Sequence, residues 1–285
     1  MLWQLIVWFQ VIESWLYEVL KILHCDISLN NLMLCKEGDN VYAVLNDLDL
    51  TVSADVMSMS SNHCMGTKPF MAIYLIHPDP TEHMYHHDLE SLFYILVWIT
   101  SRFNDGQEIV DPPLQEWADN DGLLLAEKKW SFFRSMPPWW TTQFEPFRHW
   151  IVSMWEMFDR EFLVHSSYLV ALSVRPQSLS PVHFAHDTLG GLVTFDKFQT
   201  ILEANLLWHV LCFPPLNMLI IFFKIPGQLE QHYVIWSCIY PCSYFYYIKS
   251  QLPYYHVPHL CPTVHTAQQQ HSWVGLYSSS KVRLF

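Results

Sequence analysis

His24-Cys25-Asp26-Ile27-Ser28-Leu29-Asn30-Asn31 (HCDISLNN) and, further along, Asn46-Asp47-Leu48-Asp49-Leu50 (NDLDL) decide how this chain is read. An aspartate on a fixed loop can accept a proton from a substrate hydroxyl, and Asp26 follows a histidine in such a loop. An asparagine five positions on, Asn31, can turn back toward the same place and offer its amide oxygen to a cation. Mg²⁺ takes oxygen ligands, and beside a nucleotide it uses one or two carboxylates together with the phosphates. Asp47, at the end of the apolar run Val41-Tyr42-Ala43-Val44-Leu45, is the candidate for that carboxylate. Taken singly each residue has a plainer reading. Asp26 can cap a turn, Asn30 and Asn31 can be loop residues with left-handed backbone, and Asp47 and Asp49 can be surface charges after a strand. The ordered combination points to phosphoryl-transfer chemistry.

Around these loops the pattern predicts a mainly α (α+β overall) fold with one small β-hairpin. Leu2, Leu5, Ile6, Phe9, Ile12, Leu16, Leu20 and Leu23 recur at helical spacing, with Gln10, Glu13, Glu18 and Lys21 between them, so residues 2 to 23 read as one amphipathic helix. No basic residue precedes this apolar start and no small-residue cleavage site follows it closely, which disfavours a signal peptide. Leu32-Met33-Leu34 and Val41 to Leu45 read as two strands around the turn-rich Lys36-Glu37-Gly38-Asp39-Asn40. A polar loop follows from Thr51 to Lys68. Asp88 to Thr100 (DLESLFYILVWIT) is apolar enough for a buried helix, and further helices are predicted near 113–134 and 144–163. Asp196 to Asn205 reads as a short closing helix with Thr194 as its cap.

Composition divides the chain at about residue 205. Of 27 acidic residues only Glu230 lies beyond it, with Lys224, Lys249, Lys281 and Arg283 as the bases. The two parts are therefore read separately: residues 1–205 as a folded domain, and 206–285 as an irregular apolar tail. Within the tail, Leu206 to Phe223 is long and uncharged enough to raise a membrane span, but Pro214-Pro215 and Asn217 interrupt it. Membrane insertion is not expected. Hydrophobic residues make up 51% of the chain, and charged residues only 15%, which excludes general disorder. A formal charge of −12 excludes a nucleic-acid-binding surface, which needs a basic footprint. Seven cysteines without framework spacing suit reduced thiols in an intracellular protein, cytoplasmic or nuclear. His83, His86, His87 and Asp88, the pairs His24-Cys25 and His63-Cys64, and Cys238 with Cys242 lack the spacing of a structural zinc site.

In order along residues 1–205, the segments HCDISLNNLML, VLNDLDL, GTKPFMAI, HHDLESLFYILVWI and TLGGLVTFDKFQTIL resemble the large C-terminal lobe of a protein kinase, most closely of the fungal-type protein kinase family. That family uses an Asp-Phe-Asp-Leu type of second motif, so Asp49 is in keeping with it. The resemblance implies Asp26 as catalytic base, Asn31 and Asp47 as Mg²⁺ ligands, and Leu48 as the hydrophobic residue after the metal aspartate. It implies residues 50–65 as activation segment, ending in Gly66, Thr67 and Pro69. His24 and Asp88 would support the catalytic loop, Asp88 by hydrogen bonds to its backbone. The cofactors implied are Mg²⁺ and ATP, the partner a protein substrate, and the reaction transfer to Ser or Thr hydroxyls.

Three departures bear on activity. Cys25 stands where the family has arginine, and a thiol cannot pair with a phosphorylated activation loop. Tyr74 stands where the family usually has glutamate, so the ion pair anchoring the end of the activation segment is expected to be lost. Residues 1–23 hold no glycine and one basic residue, Lys21, so the glycine-rich loop, the strand lysine and its helical glutamate partner do not precede Asp26 in this sequence. The expectation is a truncated kinase-like lobe, working with a small lobe supplied from elsewhere. The alternative is a pseudokinase fragment that binds a partner protein. A small-molecule phosphotransferase also uses HxDxxxxN, but GTKPFMA and the apolar segment after Asp88 favour the protein-kinase reading.

Overall fold

A computed structural model describes residues 2–37, 40–54, 66–76, 81–120, 122–135, 140–174, 184–204, 219–224, 231–239, 242–248 and 281–282. The first helix, α1, spans Leu2–Glu18. Ile6, Phe9, Ile12 and Leu16 form its buried stripe, as their spacing predicts. Gln10 and Glu13, expected on the polar side, are buried as well. The helix also ends earlier than the apolar periodicity suggests. Lys21 takes a left-handed backbone conformation (φ 56°), and Ile22–Leu23 forms a short strand, β1, antiparallel to β4 at Val52–Ser53. Strand pairing therefore claims the last two apolar positions of the predicted helix.

The hairpin is present as β2 (Leu32–Glu37) and β3 (Asn40–Leu45), antiparallel, with Leu32 opposite Leu45 and Glu37 opposite Asn40. This register brings the ends of both loop motifs together at the open end of the hairpin. A 3₁₀ turn at Lys68–Phe70 leads to the short helix α2, Ile73–Ile76. The central helix α3 spans Tyr85–Arg102 and is buried around most of its circumference, as its nearly continuous apolar sequence requires. The strands β5 (Phe103–Asn104) and β6 (Gln107–Glu108) make a small antiparallel turn after it.

The helix predicted near 113–134 is two, α4 (Glu116–Asp119) and α5 (Gly122–Arg134). The break falls between Asp119 and Gly122, where Asn120 is extended and Gly122 has a positive φ of 53°. A 3₁₀ segment, Thr142–Phe147, precedes α6 at Arg148–Ser173, which outruns its predicted end by ten residues. α7 spans Phe195–Glu203, and the Thr194 hydroxyl accepts the Lys197 N–H at 3.2 Å, the expected cap. An aromatic core joins α3, α5 and α6: Phe93 stacks on Phe158 with ring centroids 5.3 Å apart, and Phe133 meets Phe162 edge-on at 4.8 Å.

The described part of the tail departs from the irregular structure expected of it. β7 (Leu219–Lys224), β8 (Gln231–Ile239) and β9 (Cys242–Ile248) form an antiparallel sheet, and β10 (Lys281–Val282) pairs with β2. The hairpin is thus two strands of a three-stranded sheet in the order β10-β2-β3, with β2 central. Most of the candidate membrane segment lies outside the described residues, and its last five residues belong to β7. Among the described residues no helix is long and apolar enough to cross a membrane.

Candidate active site

The HCDISLNN loop is fastened from below by the first turn of α3. The Asp88 carboxylate accepts the His24 N–H at 3.0 Å, the Cys25 N–H at 3.3 Å and His83 Nε2 at 2.8 Å. Asp88 is only 2% exposed, and three donors offset what burying a carboxylate costs. The grip has a local consequence. Cys25 is held at φ 66°, a left-handed conformation that a non-glycine residue adopts only under constraint.

His24 ties this loop to the second motif. Its Nδ1 accepts the Asp26 N–H at 3.3 Å, which places the ring proton on Nε2, and Nε2 donates to the Asn46 carbonyl at 3.1 Å. The ring is fully buried. Burial lowers its pKa, against the pull of nearby Asp88, and this favours the neutral form that the two hydrogen bonds require. The Asn46 N–H in turn donates to the Asn31 carbonyl at 2.9 Å.

Asp26 lies at the centre of the resulting cluster. Its Oδ1 accepts both the Thr67 N–H at 2.8 Å and the Thr67 hydroxyl at 2.9 Å. Its Oδ2 accepts Asn31 Nδ2 at 3.0 Å, and the same amide nitrogen donates to the Asp26 carbonyl at 2.9 Å. With its nitrogen committed to Asp26, the Asn31 amide keeps Oδ1 as an acceptor for another ligand. The Gly66 position suits glycine first through its backbone conformation, and a side chain there would also crowd Met71. Its φ is 141°, and a Cβ there would stand 3.2 Å from Met71 Cγ and 3.5 Å from the Cys25 carbonyl. Pro69 sits half-buried inside the 3₁₀ turn after Thr67, and Phe70 packs edge-on against Trp98.

Asp47 is exposed with φ 64°, one residue beyond the Asn46 contact, while Leu48 beside it is buried. The structure thus brings His24, Asp26, Asn31, Thr67 and Asp88 into one hydrogen-bonded network, with Gly66 next to Thr67 in the chain, and leaves Asp47 exposed beside it. An Asn31 amide oxygen and an exposed Asp47 carboxylate are oxygen donors of the kind Mg²⁺ accepts alongside phosphates. Among the described residues no group of three or more His, Cys, Asp or Glu is placed to hold a metal by itself. Most of the expected activation segment, residues 55–65, lies outside the described residues.

At the departures, the Cys25 thiol donates to the Leu23 carbonyl at 3.7 Å. Burial first, and Asp88 second, push its pKa far up. It is a protonated packing group here. The Tyr74 ring stands edge-on to Trp130, Phe162 and His165, and its hydroxyl is buried without a hydrogen-bond partner. The Asn46 carbonyl had no side-chain signal by which the sequence could mark it. Glu90 and Lys129, which hold the main chain just before Tyr74, did carry one: each is an ionisable residue at a core position of an apolar helix face.

Residues 10–100 match the family model described as fungal protein kinase. Over this stretch the resemblance carried by the motifs is supported. The match to the fungal protein kinases takes in the second half of α1, both loop motifs, Gly66–Phe70 and α3 to Thr100. TLGGLVTFDKFQTIL and the tail fall outside it. No curated protein matches the chain.

Proposed function

We propose that this chain carries the catalytic-loop half of an ATP- and Mg²⁺-dependent protein kinase acting on Ser or Thr hydroxyls. The observation that carries the reading is the Asp26 carboxylate, held by Thr67 and Asn31 on a loop whose backbone is bound to Asp88. Asp26 Oδ1 already accepts two hydrogen bonds, whereas Oδ2 accepts one and keeps a lone pair for a substrate hydroxyl. On this reading Asp26 takes the hydroxyl proton, and Thr67 and Asn31 hold its carboxylate in one orientation. Asn31 Oδ1 and the Asp47 carboxylate would hold Mg²⁺. The bound metal nucleotide would supply the phosphoryl group and neutralise its charge. Residues 1–23, ahead of Asp26, supply neither the glycine-rich loop nor the strand lysine that such a reaction uses.

Calorimetry with Mg-ATP tests the reading, with Asp47→Ala as the control. Binding in the wild type that Asp47→Ala abolishes supports it, and no binding at millimolar nucleotide rejects it. Where transfer is measurable, Asp26→Asn should lower the rate by about 10²-fold or more, the range expected for loss of a general base.

Cys25 favours a second reading, a pseudokinase module that binds a partner protein, because it removes the arginine of the family motif. Capture of one defined partner, unchanged by Asp26→Asn and without nucleotide binding, would decide for it.

A further inference from the structure

The short stretch Met71-Ala72-Ile73 links the 3₁₀ turn beside Asp26 to α2, and two buried ionisable side chains hold it by its main chain. The Ile73 N–H donates to Glu90 Oε1 at 2.9 Å, and Lys129 Nζ donates to the Met71 carbonyl. Glu90 comes from α3 and Lys129 from α5, and neither is exposed at all. Tyr94, one turn beyond Glu90, joins the two. Its hydroxyl donates to Glu90 Oε1 at 2.6 Å, and its ring centroid lies 3.8 Å from Lys129 Nζ.

Burying a lysine and a glutamate is costly, and an apolar pair of similar volume would often fill such space with less penalty. What the ionic side chains give that methionine or leucine cannot is a donor and an acceptor for the backbone, two residues apart. Lys129 lies on the same face of α5 as Leu125, Ala126, Phe132 and Phe133, so its placement is fixed by packing. Tyr74, the residue after this stretch, makes aromatic contacts and no polar anchor. Polar anchoring of the segment is therefore supplied by α3 and α5.

The held stretch leads directly to the candidate site. The Met71 N–H donates to the Thr67 carbonyl at 3.2 Å, the Phe70 N–H to the same carbonyl at 2.9 Å, and Thr67 holds Asp26 Oδ1 through both its N–H and its hydroxyl. A side chain at Gly66 would meet both Met71 and the Cys25 carbonyl, so the two segments run close together there. We propose that Glu90 and Lys129 form a two-point main-chain clamp that fixes residues 66–73 against the catalytic loop and, through Thr67, orients the Asp26 carboxylate. They are positioning residues, and only their effect on rate rests on the phosphoryl-transfer reading.

Amide hydrogen exchange on the full chain, followed by mass spectrometry, tests the clamp. Lys129→Met keeps the side chain's length and removes the donor. Exchange over residues 66–73 should accelerate by about tenfold or more, while α6 (150–162) and α7 (195–203) stay within about twofold. No change over 66–73, or an equal acceleration throughout α6 and α7, would overturn the proposal, since the second result is that of a general core residue. Glu90→Gln retains size and an acceptor oxygen and loses the charge; it should give a smaller rise, about threefold, over 66–73 alone, and no rise would count against the clamp even if Lys129→Met failed to fold. Where the wild type transfers phosphate, both variants should lower kcat and leave KM for ATP unchanged. A wild type that transfers none defeats the functional reading, and the exchange data still decide the clamp.

Discussion

Cys25 and Asp47 both carry backbone strain at the candidate site, and Cys25 shows where it comes from. Its φ of 66° is imposed by the N–H bond to Asp88, and for an L residue the left-handed region costs roughly 1–2 kcal/mol. Replacing Cys25 by alanine and by glycine removes the thiol in both cases and differs in that strain. Glycine relieves it, and part of the gain is offset by the greater freedom of a glycine in the unfolded chain. Cys25→Gly should therefore be more stable than Cys25→Ala by roughly 1 kcal/mol in urea unfolding. Equal stabilities, or a more stable alanine variant, would show that the loop does not hold this conformation in solution. The same residue illustrates what a motif conveys. HCDISLNN announced a loop with Asp26 and Asn31 at its working positions. It gave no sign that Cys25 would be left-handed, because the cause is a carboxylate 63 positions away in the chain.

Elements were legible where one rule governs them and were misread where two compete. The hairpin, the central helix and the Thr194 cap follow from two short apolar runs around a turn-rich connector, apolar content and a hydroxyl before a helix, each unopposed. The end of α1 was overrun because helical periodicity continues through Leu20 and Leu23, while pairing of Ile22–Leu23 with Val52–Ser53 lies in a partner distant in sequence. Helix α3 shows most clearly how an element serves the site, since its first turn fastens the loop and its next turn holds Ile73. Asp88→Asn isolates the first of these tasks. The amide offers one acceptor oxygen and turns an N–H₂ toward groups that are themselves donors, so a buried donor loses its partner. We expect a loss of about 3 kcal/mol in urea unfolding, in the range for breaking a buried charged hydrogen-bond set. Exchange at residues 24–31 should rise with it. Asp49→Asn, an exposed carboxylate in the neighbouring motif, should stay within about 0.5 kcal/mol of the wild type. A comparable small loss in both variants would deny Asp88 its fastening role.

Across the whole molecule, the buried ionisable groups set how stability responds to pH. Burial raises Glu13 and Glu161 and, less strongly, Glu90, which rises to about 7 although Tyr94, the Ile73 N–H and Lys129 all favour its charge. Glu161 rises to about 10, with Glu90 adding to the effect of burial. Among the described residues both of its oxygens are buried without a hydrogen-bond partner, close to Tyr74, Glu90 and Tyr94. A carboxyl raised on folding stabilises fully below its unfolded value of 4.5, and that contribution is lost as pH climbs through its folded value. The histidines work in the opposite sense. Burial lowers His24, His87 and His86, the last to about 4, so their contribution is present above 6.5 and is lost as pH falls through the folded values. In mildly acidic solution the two sets oppose each other. Above the unfolded histidine value Glu161 holds its proton up to about 10, Glu13 stays raised well above its ordinary value and Glu90 releases its proton near 7; Lys129, lowered by burial, opposes them, and the raised Cys25 thiol acts with the carboxyls on the alkaline side. Folding therefore takes up protons on the alkaline side. Urea midpoints should pass through a maximum near about pH 5 to 6 and decline steadily between about pH 6 and about pH 9. A midpoint that rises across that alkaline range would mean that the carboxyls are not buried as the fold places them, and would remove the physical basis for a proton-retaining core beneath the catalytic loop.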